Sequence, residues 1–278
     1  MKKLFDEVSY KTSKITTKNY STSFSLGIFA LHKSLRKSIY NIYGFVRFAD
    51  EIVDSFHDYD KHILFNQFKK DAFFAIDNKI SLNPILNSFQ ETINTYNIDL
   101  SLVNNFLESM EMDLCERSYN EEKYNDYIHG SAEVVGLMCL KIFVNGKEKL
   151  YNKLKPSAMS LGSAFQKINF LRDANVDYSL LGRTYFPGVN LDNFTQEDKK
   201  NIEKDIEKDF KDALVGIKML PSSSRGGVYL SYLYYYQLFK KVKRLTPSKI
   251  LEERIRIPNL EKIVLMFISS VKNKFNLI

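Results

Sequence analysis

Residues 38–56, SIYNIYGFVRFADEIVDSF, combine apolar side chains with a phenol, a guanidinium and two carboxylates. These polar residues follow one another at steps of four, three and four: Tyr43, Arg47, Asp50 and Asp54. A helix places residues at such steps on one face. We therefore expect a largely buried helix that presents two acids, an arginine and a tyrosine to a common partner.

A second stretch, residues 163–178 (SAFQKINFLRDANVDY), repeats this arrangement more than a hundred residues later. Its polar residues step by three, four and four: Gln166, Asn169, Asp173 and Asp177. Arg172 is adjacent to Asp173. A single D-x-x-x-D pair is most often a solvated surface feature. Two such pairs, both in apolar helices and both beside an arginine, indicate a shared function.

Carboxylates on an inward helix face repel one another and need cations to neutralise them. Arginine supplies part of that charge, and a divalent ion is the natural remainder. Oxygen ligands favour Mg²⁺, with Mn²⁺ as the alternative, over zinc. Acids four residues apart stand about 6 Å apart along a helix axis. Because Mg²⁺ binds through one or two carboxylates and substrate phosphates, the implied substrate is a diphosphate.

Other common catalytic and binding motifs are absent from the sequence. The four histidines lack zinc-site spacing, and P-loop, Rossmann and G-x-S-x-G patterns do not occur. The net charge of +7 could attract polyanions, phosphates or an anionic membrane, but a lysine-rich solvated surface explains it more simply. The densest basic run, KKVKR (240–244), lacks interleaved glycine or aromatic residues. We therefore expect no nucleic-acid partner.

Cysteine usage and hydropathy indicate a cytoplasmic protein. Cys115 and Cys139 are the only cysteines, and neither belongs to a C-x-x-C pair. The start, MKKLFDEVSYKTSK, lacks the apolar segment of a signal peptide. Aliphatic runs such as IVLMFI (263–268) are much shorter than the roughly 20 residues that span a bilayer. At most, we expect peripheral contact with the inner membrane.

Helical periodicity dominates the chain, and alternating strand patterns are nearly absent. The predicted helices are about 34–57, 61–77, 85–96, 99–118, 122–146, 149–178, 195–218, 224–245 and 248–273. No long linker or composition shift divides the chain. The sequence therefore predicts one all-α domain, residues 1–278, with about ten helices.

At the two acidic stretches the sequence resembles the squalene/phytoene synthase family. YGFVRFADEIVD looks like the first aspartate-rich motif of that family, and QKINFLRDANVDYSLLGRTYFP looks like the second, with its trailing G-R-x-Y-x-P. NYSTSF (19–24), YIHGSAEVVG (127–136) and ERIRIP (253–258) are similar to other family segments. The resemblance extends over almost the whole chain. His129, Ser131 and Glu133 depart from it, since smaller apolar residues are expected there.

The resemblance implies an isoprenoid synthase fold with a central apolar cavity. It also implies a head-to-head condensation of two prenyl diphosphates through a cyclopropyl diphosphate. Metal ions and arginines would neutralise the departing diphosphate. An apolar lining with phenyl and phenol rings would protect and stabilise the carbocation.

The family's site residues carry over onto matching positions of this chain. Mg²⁺ would be held by Asp50, Asp54, Asn169 and Asp173, with Asp177 assisting. The diphosphate or the metal-bound waters would be contacted by Tyr43, Arg47, Gln166 and Arg172. The N-terminal substrate segment would consist of Tyr20, Ser21, Thr22, Ser23 and Phe24.

Further positions are carried over from the later segments. Tyr127 would lie near the reacting carbons, and Tyr236, chosen among the tyrosines of YLYYYQ, would contact diphosphate. For Arg254 a surface salt bridge and a phosphate contact are equal alternatives. Gly136 would permit close helix approach or local unwinding, because glycine costs about 1 kcal/mol in a helix interior.

Three activities fit this resemblance. The form RFADEIVD favours phytoene synthase, which joins two geranylgeranyl diphosphates, over dehydrosqualene and squalene synthases, which use farnesyl diphosphate. NADPH is not expected. A hypothesis from another class is a catalytically silent helical scaffold, and a third is a basic lipid-binding module supported by the lysine-rich stretch 234–245. Peripheral membrane contact by the apolar and basic C-terminal helices is a further expectation. The sequence does not indicate an oligomeric state.

Overall fold

The computed structural model describes residues 1–115, 118–179, 184–252 and 254–278, without the side chains of 176–179. Within these ranges the chain is all-α, as predicted, and forms thirteen α-helices. They are α1 (Lys2–Tyr20), α2 (Thr22–Phe29), α3 (Lys33–Ser55), α4 (Lys61–Asn78), α5 (Pro84–Tyr96), α6 (Leu100–Cys115), α7 (Glu121–Ile128), α8 (Val134–Phe143), α9 (Glu148–Ser179), α10 (Gln196–Met219), α11 (Ser222–Arg244), α12 (Pro247–Glu252) and α13 (Asn259–Lys274). A π-helical turn, His129–Glu133, joins α7 to α8.

Polar side chains at the helix starts explain several of these boundaries. Ser21 accepts a hydrogen bond from the backbone N–H of Phe24, which begins α2 directly after α1. Asn83 caps α5 ahead of Pro84 at the first helical position. Thr195 and Asp198 form a reciprocal capping box at the start of α10. The short sequence NYSTSF therefore turns between two helices.

Four parts of the helix prediction differ from the structure. The predicted helix 122–146 is interrupted by the π-helical turn, and the predicted helix 248–273 is divided between α12 and α13. Neither α1 nor α2 was predicted. Helix α1 buries Ser9, Ser13 and Thr17 rather than an apolar stripe, so apolar periodicity gave no signal for it.

The helices form two packed groups. In the first group, α1, α4, α5 and α6 pack around α3. Phe45 of α3 is fully buried there and stacks on Phe89, with ring centroids 3.7 Å apart. In the second, α9 packs on α10 and α12, and α10 packs on α11. Phe210 and Phe239 lie in this second core. α8 contacts both α3 and α9, and the cavity described below lies between the two groups.

Glycine allows the central helices to approach closely beside that cavity. A Cβ at Gly162 of α9 would lie 2.7 Å from the carbonyl oxygen of Ala132 in the π-helical turn. A Cβ at Gly136 would lie 3.1 Å from the carbonyl oxygen of Ala158. The close helix approach expected at Gly136 is therefore observed, while the unwound turn lies just before it. In the described part of the chain, no helix has both the length and the apolar character needed to cross a membrane.

Candidate active site

A cavity of about 1430 Å³ lies between the two helix groups. Residues from α1 to α3, from α6 to α11, from the π-helical turn, and from the start of α13 and the segment before it line the cavity. Most of its wall is apolar, for example Ile42, Val46, Leu161 and Ile217. Both acidic stretches contribute to the same cavity: Asp50 and Asp54 from α3, and Asn169 and Asp173 from α9. The predicted meeting of the two stretches is thus observed.

The acidic stripe on α3 consists of Tyr43, Arg47, Asp50 and Asp54. In it, two carboxylates hold the Arg47 side chain, and the carboxylates of Asp50 and Asp54 repel each other. The Arg47 guanidinium donates to the carboxylates of Asp50 and Glu51. Despite this cation, burial and the nearby Asp54 carboxylate raise the pKa of Asp50 to about 7. The ring of Tyr20 lies 4.3 Å from the Arg47 guanidinium carbon, measured to the ring centroid. Burial and the neighbouring acids therefore make Asp50 harder to ionise than an ordinary aspartate, although Arg47 is paired with it.

In the acidic stripe on α9 (Gln166, Asn169, Asp173 and Asp177), Asp173 contacts two arginines. Arg172 Nε donates to Oδ1 and Oδ2 of Asp173 at 3.0 and 3.1 Å. Arg254, which follows α12, places its Nε 2.7 Å from Asp173 Oδ1. The Tyr235 hydroxyl donates to Asn169 Oδ1 at 3.3 Å. Gln166 lines the cavity one turn before Asn169, whereas the Asp177 side chain lies outside the described residues.

For Arg254 the sequence left a surface salt bridge and a phosphate contact as equal alternatives. Its contact is a salt bridge, as one alternative held, but the partner is the acid of the second stretch and the residue lines the cavity. The Arg254 side chain remains 48% exposed. The guanidinium is therefore within reach of both Asp173 and a ligand in the cavity.

The N-terminal segment also lines the cavity. All five residues of the predicted substrate segment take part: Tyr20, Ser21, Thr22, Ser23 and Phe24. The Phe24 ring packs against both Tyr43 and Tyr235, with centroid separations of 5.3 and 6.0 Å. Burial raises the pKa of Tyr43 to about 12, so this phenol remains protonated and can donate a hydrogen bond.

The donor set suits a hard cation. In the described ranges, no three His, Cys, Asp or Glu side chains converge as a ready metal cluster. Instead, each stripe offers one or two carboxylates, with the Asn169 amide oxygen beside Asp173. Such a partial oxygen shell matches Mg²⁺, which completes its coordination with water and substrate phosphate. A cation near Asp50 and Asp54 would also relieve the repulsion that raises the pKa of Asp50.

Comparison with known proteins identifies the family. The model of the squalene/phytoene synthase family matches residues 17–261. The chain belongs to this family. Members of the squalene/phytoene synthase family are prenyltransferases.

Individual squalene/phytoene synthases are similar over most of the chain. The phytoene synthase of Arthrospira platensis is 24% identical over 289 residues, 95% of this chain and 93% of that protein. The 4,4'-diapophytoene synthase of Staphylococcus haemolyticus is 26% identical over 206 residues, 72% of this chain and 69% of that protein. A crystal structure of a dehydrosqualene synthase in complex with ligand superposes with a TM-score of 0.82 at 18% identity, covering 97% and 98% of the two chains. The expected isoprenoid synthase fold is confirmed.

One tyrosine prediction requires correction. Tyr236 is not among the residues that line the cavity in the described chain. Its ring packs against Phe210 and Tyr232, on the side of α11 that faces α10. The preceding residue, Tyr235, lines the cavity and stacks on Phe165 with centroids 3.8 Å apart. Successive residues on a helix differ by about 100° in direction, so Tyr235 lines the cavity while Tyr236 packs in the core.

Sequence reasoning missed a buried acid in this family member. Asp113 of α6 lines the cavity, accepts a hydrogen bond from the Tyr127 hydroxyl at 2.7 Å, and contributes to the raised pKa of Asp50. The Tyr119 hydroxyl also donates to it, at 3.4 Å. Burial and Asp113 raise the pKa of Tyr127 well above its ordinary value. Asp113 is one of three acids in LESMEMDLC (107–115), with Glu108 and Glu111, so the sequence alone did not single it out.

A second missed residue is Tyr185, which belongs to the quoted G-R-x-Y-x-P stretch. It lines the cavity and stacks on Phe170 with centroids 4.0 Å apart and planes inclined by 11°. The centroid of the Tyr127 ring lies 5.3 Å from that of the Tyr185 ring. These rings form an aromatic wall beside Asp113.

Proposed function

We propose that this protein is a phytoene synthase that depends on Mg²⁺, with Mn²⁺ as an alternative ion. It condenses two geranylgeranyl diphosphates head to head, through a cyclopropyl diphosphate, and releases diphosphate. The observation that carries the proposal is the presence of both acidic stripes on one large, mostly apolar cavity. Family membership and the similarity to the phytoene synthase of Arthrospira platensis support it.

The polar part of the cavity would bind the diphosphates. Asp50 and Asp54 would hold metal at one stripe, and Asn169 and Asp173 would hold it at the other. The bound ions would supply positive charge to the departing diphosphate. Arg47 adds a fixed cation, and among the described residues its buried Nε–H finds no acceptor, so it can donate to a phosphate oxygen. Tyr43 and Tyr235, which both pack against Phe24, would add phenol hydroxyls to this part of the cavity.

The apolar part would hold the prenyl chains and the carbocation formed when diphosphate leaves. Phe165 and Phe170, on the same helix as the second stripe, line the cavity. Ring faces stabilise a nearby cation, and the apolar wall excludes the water that would trap it. Tyr127 is held by Asp113 beside this wall. It would orient or exchange a proton during the rearrangement that follows.

A second candidate is condensation of two farnesyl diphosphates to a dehydrosqualene-type product. The similarity to a 4,4'-diapophytoene synthase and the structural match to a dehydrosqualene synthase favour it. The depth of the apolar cavity decides between the two chain lengths. Neither candidate requires NADPH. We also propose that the enzyme works in the cytoplasm at a membrane surface.

The decisive experiment incubates the purified protein with geranylgeranyl or farnesyl diphosphate, each with Mg²⁺ or with a chelator, and with or without NADPH. We expect phytoene from geranylgeranyl diphosphate, no effect of NADPH, and no diphosphate release in chelator. A predominant product from farnesyl diphosphate would establish the second candidate. Absence of diphosphate release from either substrate would favour a silent scaffold.

Two acid substitutions provide a matched comparison. Asp173→Asn is expected to abolish diphosphate release, whereas Asp58→Asn, in the exposed turn after α3, is expected to retain it. Equal activity of the two variants would contradict the assignment of the acidic stripes.

A further inference from the structure

Helix α13 exposes an apolar stripe to solvent. The exposed side chains recur at helical steps of three and four: Leu260, Ile263, Val264, Phe267, Ile268 and Val271. Phe267 is 71% exposed and Leu260 is 79% exposed. A helix at the surface of a globular protein ordinarily turns such a stripe toward the core. An exposed, continuous apolar patch marks a surface that binds another partner.

The opposite, more polar face of α13 makes its contacts with the protein. The Ser269 side chain is buried and donates to the carbonyl oxygen of Gly226 in α11 at 2.9 Å. Arg225 Nε donates to Asn273 Oδ1 at 3.3 Å, and Lys272 Nζ donates to the Tyr229 hydroxyl at 3.3 Å. These hydrogen bonds fix the rotation of α13. The outward direction of the apolar stripe is therefore a built feature of the fold.

The C-terminal part of α13 carries positive charge. Lys272 and Lys274 lie where the stripe ends at Val271, whereas Lys262 lines the cavity. The segment from Asn259 to Ile278 contains a single acid. That acid, Glu261, is engaged by Lys241 at 3.0 Å and by Gln237. An apolar helix face bordered by lysines is the combination that binds an anionic lipid surface.

We propose that α13 docks this apolar face into the surface of an anionic bilayer. A second copy of the chain fits less well, because a symmetric interface would bring the lysine border of one copy against that of the other. The helix also reaches the cavity, since Asn259 and Lys262 line it. Docking in this orientation places a wall of the cavity beside the lipid. The observations that carry this inference are independent of the proposed reaction.

Because the sequence contains no tryptophan, a single substitution supplies a specific reporter. Phe267→Trp places an indole on the proposed docking face. Phe74→Trp, at a residue that is 62% exposed on α4, provides the matched control. With vesicles of equal parts phosphatidylcholine and phosphatidylglycerol, we expect a blue shift of the Phe267→Trp emission only. A shift of the Phe74→Trp emission alone, or of neither, would overturn the proposal.

Binding is then measured by vesicle co-sedimentation of two triple variants. Ile263→Gln/Val264→Gln/Phe267→Gln should weaken partitioning at least tenfold, because each large apolar side chain removed from lipid is worth about that factor. Ile63→Gln/Phe74→Gln/Leu82→Gln removes comparably exposed side chains elsewhere and should change it less than threefold. Salt of about 1 M, where the Debye length is about 3 Å, should also weaken the wild type.

Two results would oppose a bilayer as the occupant. Equal partitioning of the two triple variants would show that α13 is not the docking face. A wild-type dimer that becomes monomeric only in the α13 variant, without vesicle binding, would assign the face to a second copy. Diphosphate release in detergent, measured for the same variants, separates loss of docking from loss of catalysis, since none of the substituted residues lines the cavity.

Discussion

Replacing Asp50 by asparagine should stabilise the metal-free protein while abolishing its activity. Burial and the Asp54 carboxylate raise the pKa of Asp50 from 3.8 to about 7. In the unfolded chain the same carboxyl ionises at its ordinary pKa. Between these two values the folded protein binds more protons than the unfolded chain, so its stability falls as pH rises from about 4 to about 7. Above about pH 7, the folded protein carries the full free-energy penalty of the ionised Asp50 carboxylate.

The size of the effect follows from the pKa difference. At about 1.36 kcal/mol per pKa unit, a rise from 3.8 to about 7 corresponds to an upper limit of about 4 kcal/mol. The Asp50 side chain is 33% exposed toward the cavity, so solvent screens part of this repulsion. We therefore expect Asp50→Asn to raise the free energy of unfolding by about 1–2 kcal/mol at pH 8. The gain should decline toward zero near pH 4.

The assay is urea unfolding at several pH values, in chelator and with added Mg²⁺. Asp58→Asn, in the exposed turn, serves as the control and should show no such pH-dependent gain. Because a cation would relieve the repulsion, Mg²⁺ should narrow the difference between Asp50→Asn and the wild type. A destabilised Asp50→Asn protein at pH 8, or a gain that is equal at pH 5 and pH 8, would refute this electrostatic account.

Three further predictions concern neighbouring residues. Tyr235→Phe should slow diphosphate release about tenfold, because it removes the hydroxyl that is hydrogen-bonded to Asn169. Tyr236→Phe should change the rate less than twofold. A larger loss in Tyr236→Phe than in Tyr235→Phe would contradict the assignment of Tyr235 to the cavity. Asp113→Ala and Tyr127→Phe should each lower kcat about tenfold with little change in KM, and additive losses in the double variant would disprove their coupling. Gly162→Ala should lower the free energy of unfolding by about 1–3 kcal/mol in urea, and an unchanged midpoint would contradict the close helix contact.

The two acidic stripes could be predicted because their pattern is local. Asp50 and Asp54 share a face through helical geometry alone, and the same holds for Asn169 and Asp173. Their meeting in one cavity required only that both helices turn these faces toward the interior, which their apolar neighbours indicate. The family resemblance supplied the remaining positions of the N-terminal segment, and all of these line the cavity.

Other features depended on information that periodicity does not contain. In YLYYYQ both sides of the helix are aromatic, so the pattern did not distinguish Tyr235 at the cavity from Tyr236 in the core. Helix α1 packs through small hydroxyl residues and so lacked an apolar signal. Asp113 acquires its role only through Tyr127, which lies on a different helix. Each of these requires tertiary contacts.

The two stripes differ in charge compensation, and this difference bears on the order of binding events. Asp173 is paired with Arg172 and Arg254, whereas Asp50 shares Arg47 with Glu51 and faces Asp54. At the stripe on α9, a diphosphate would compete with Asp173 for Arg254, which is half exposed and adjacent to the cavity. Diphosphate binding would thereby release Asp173 for metal, so that the second site would become fully competent only when substrate is present.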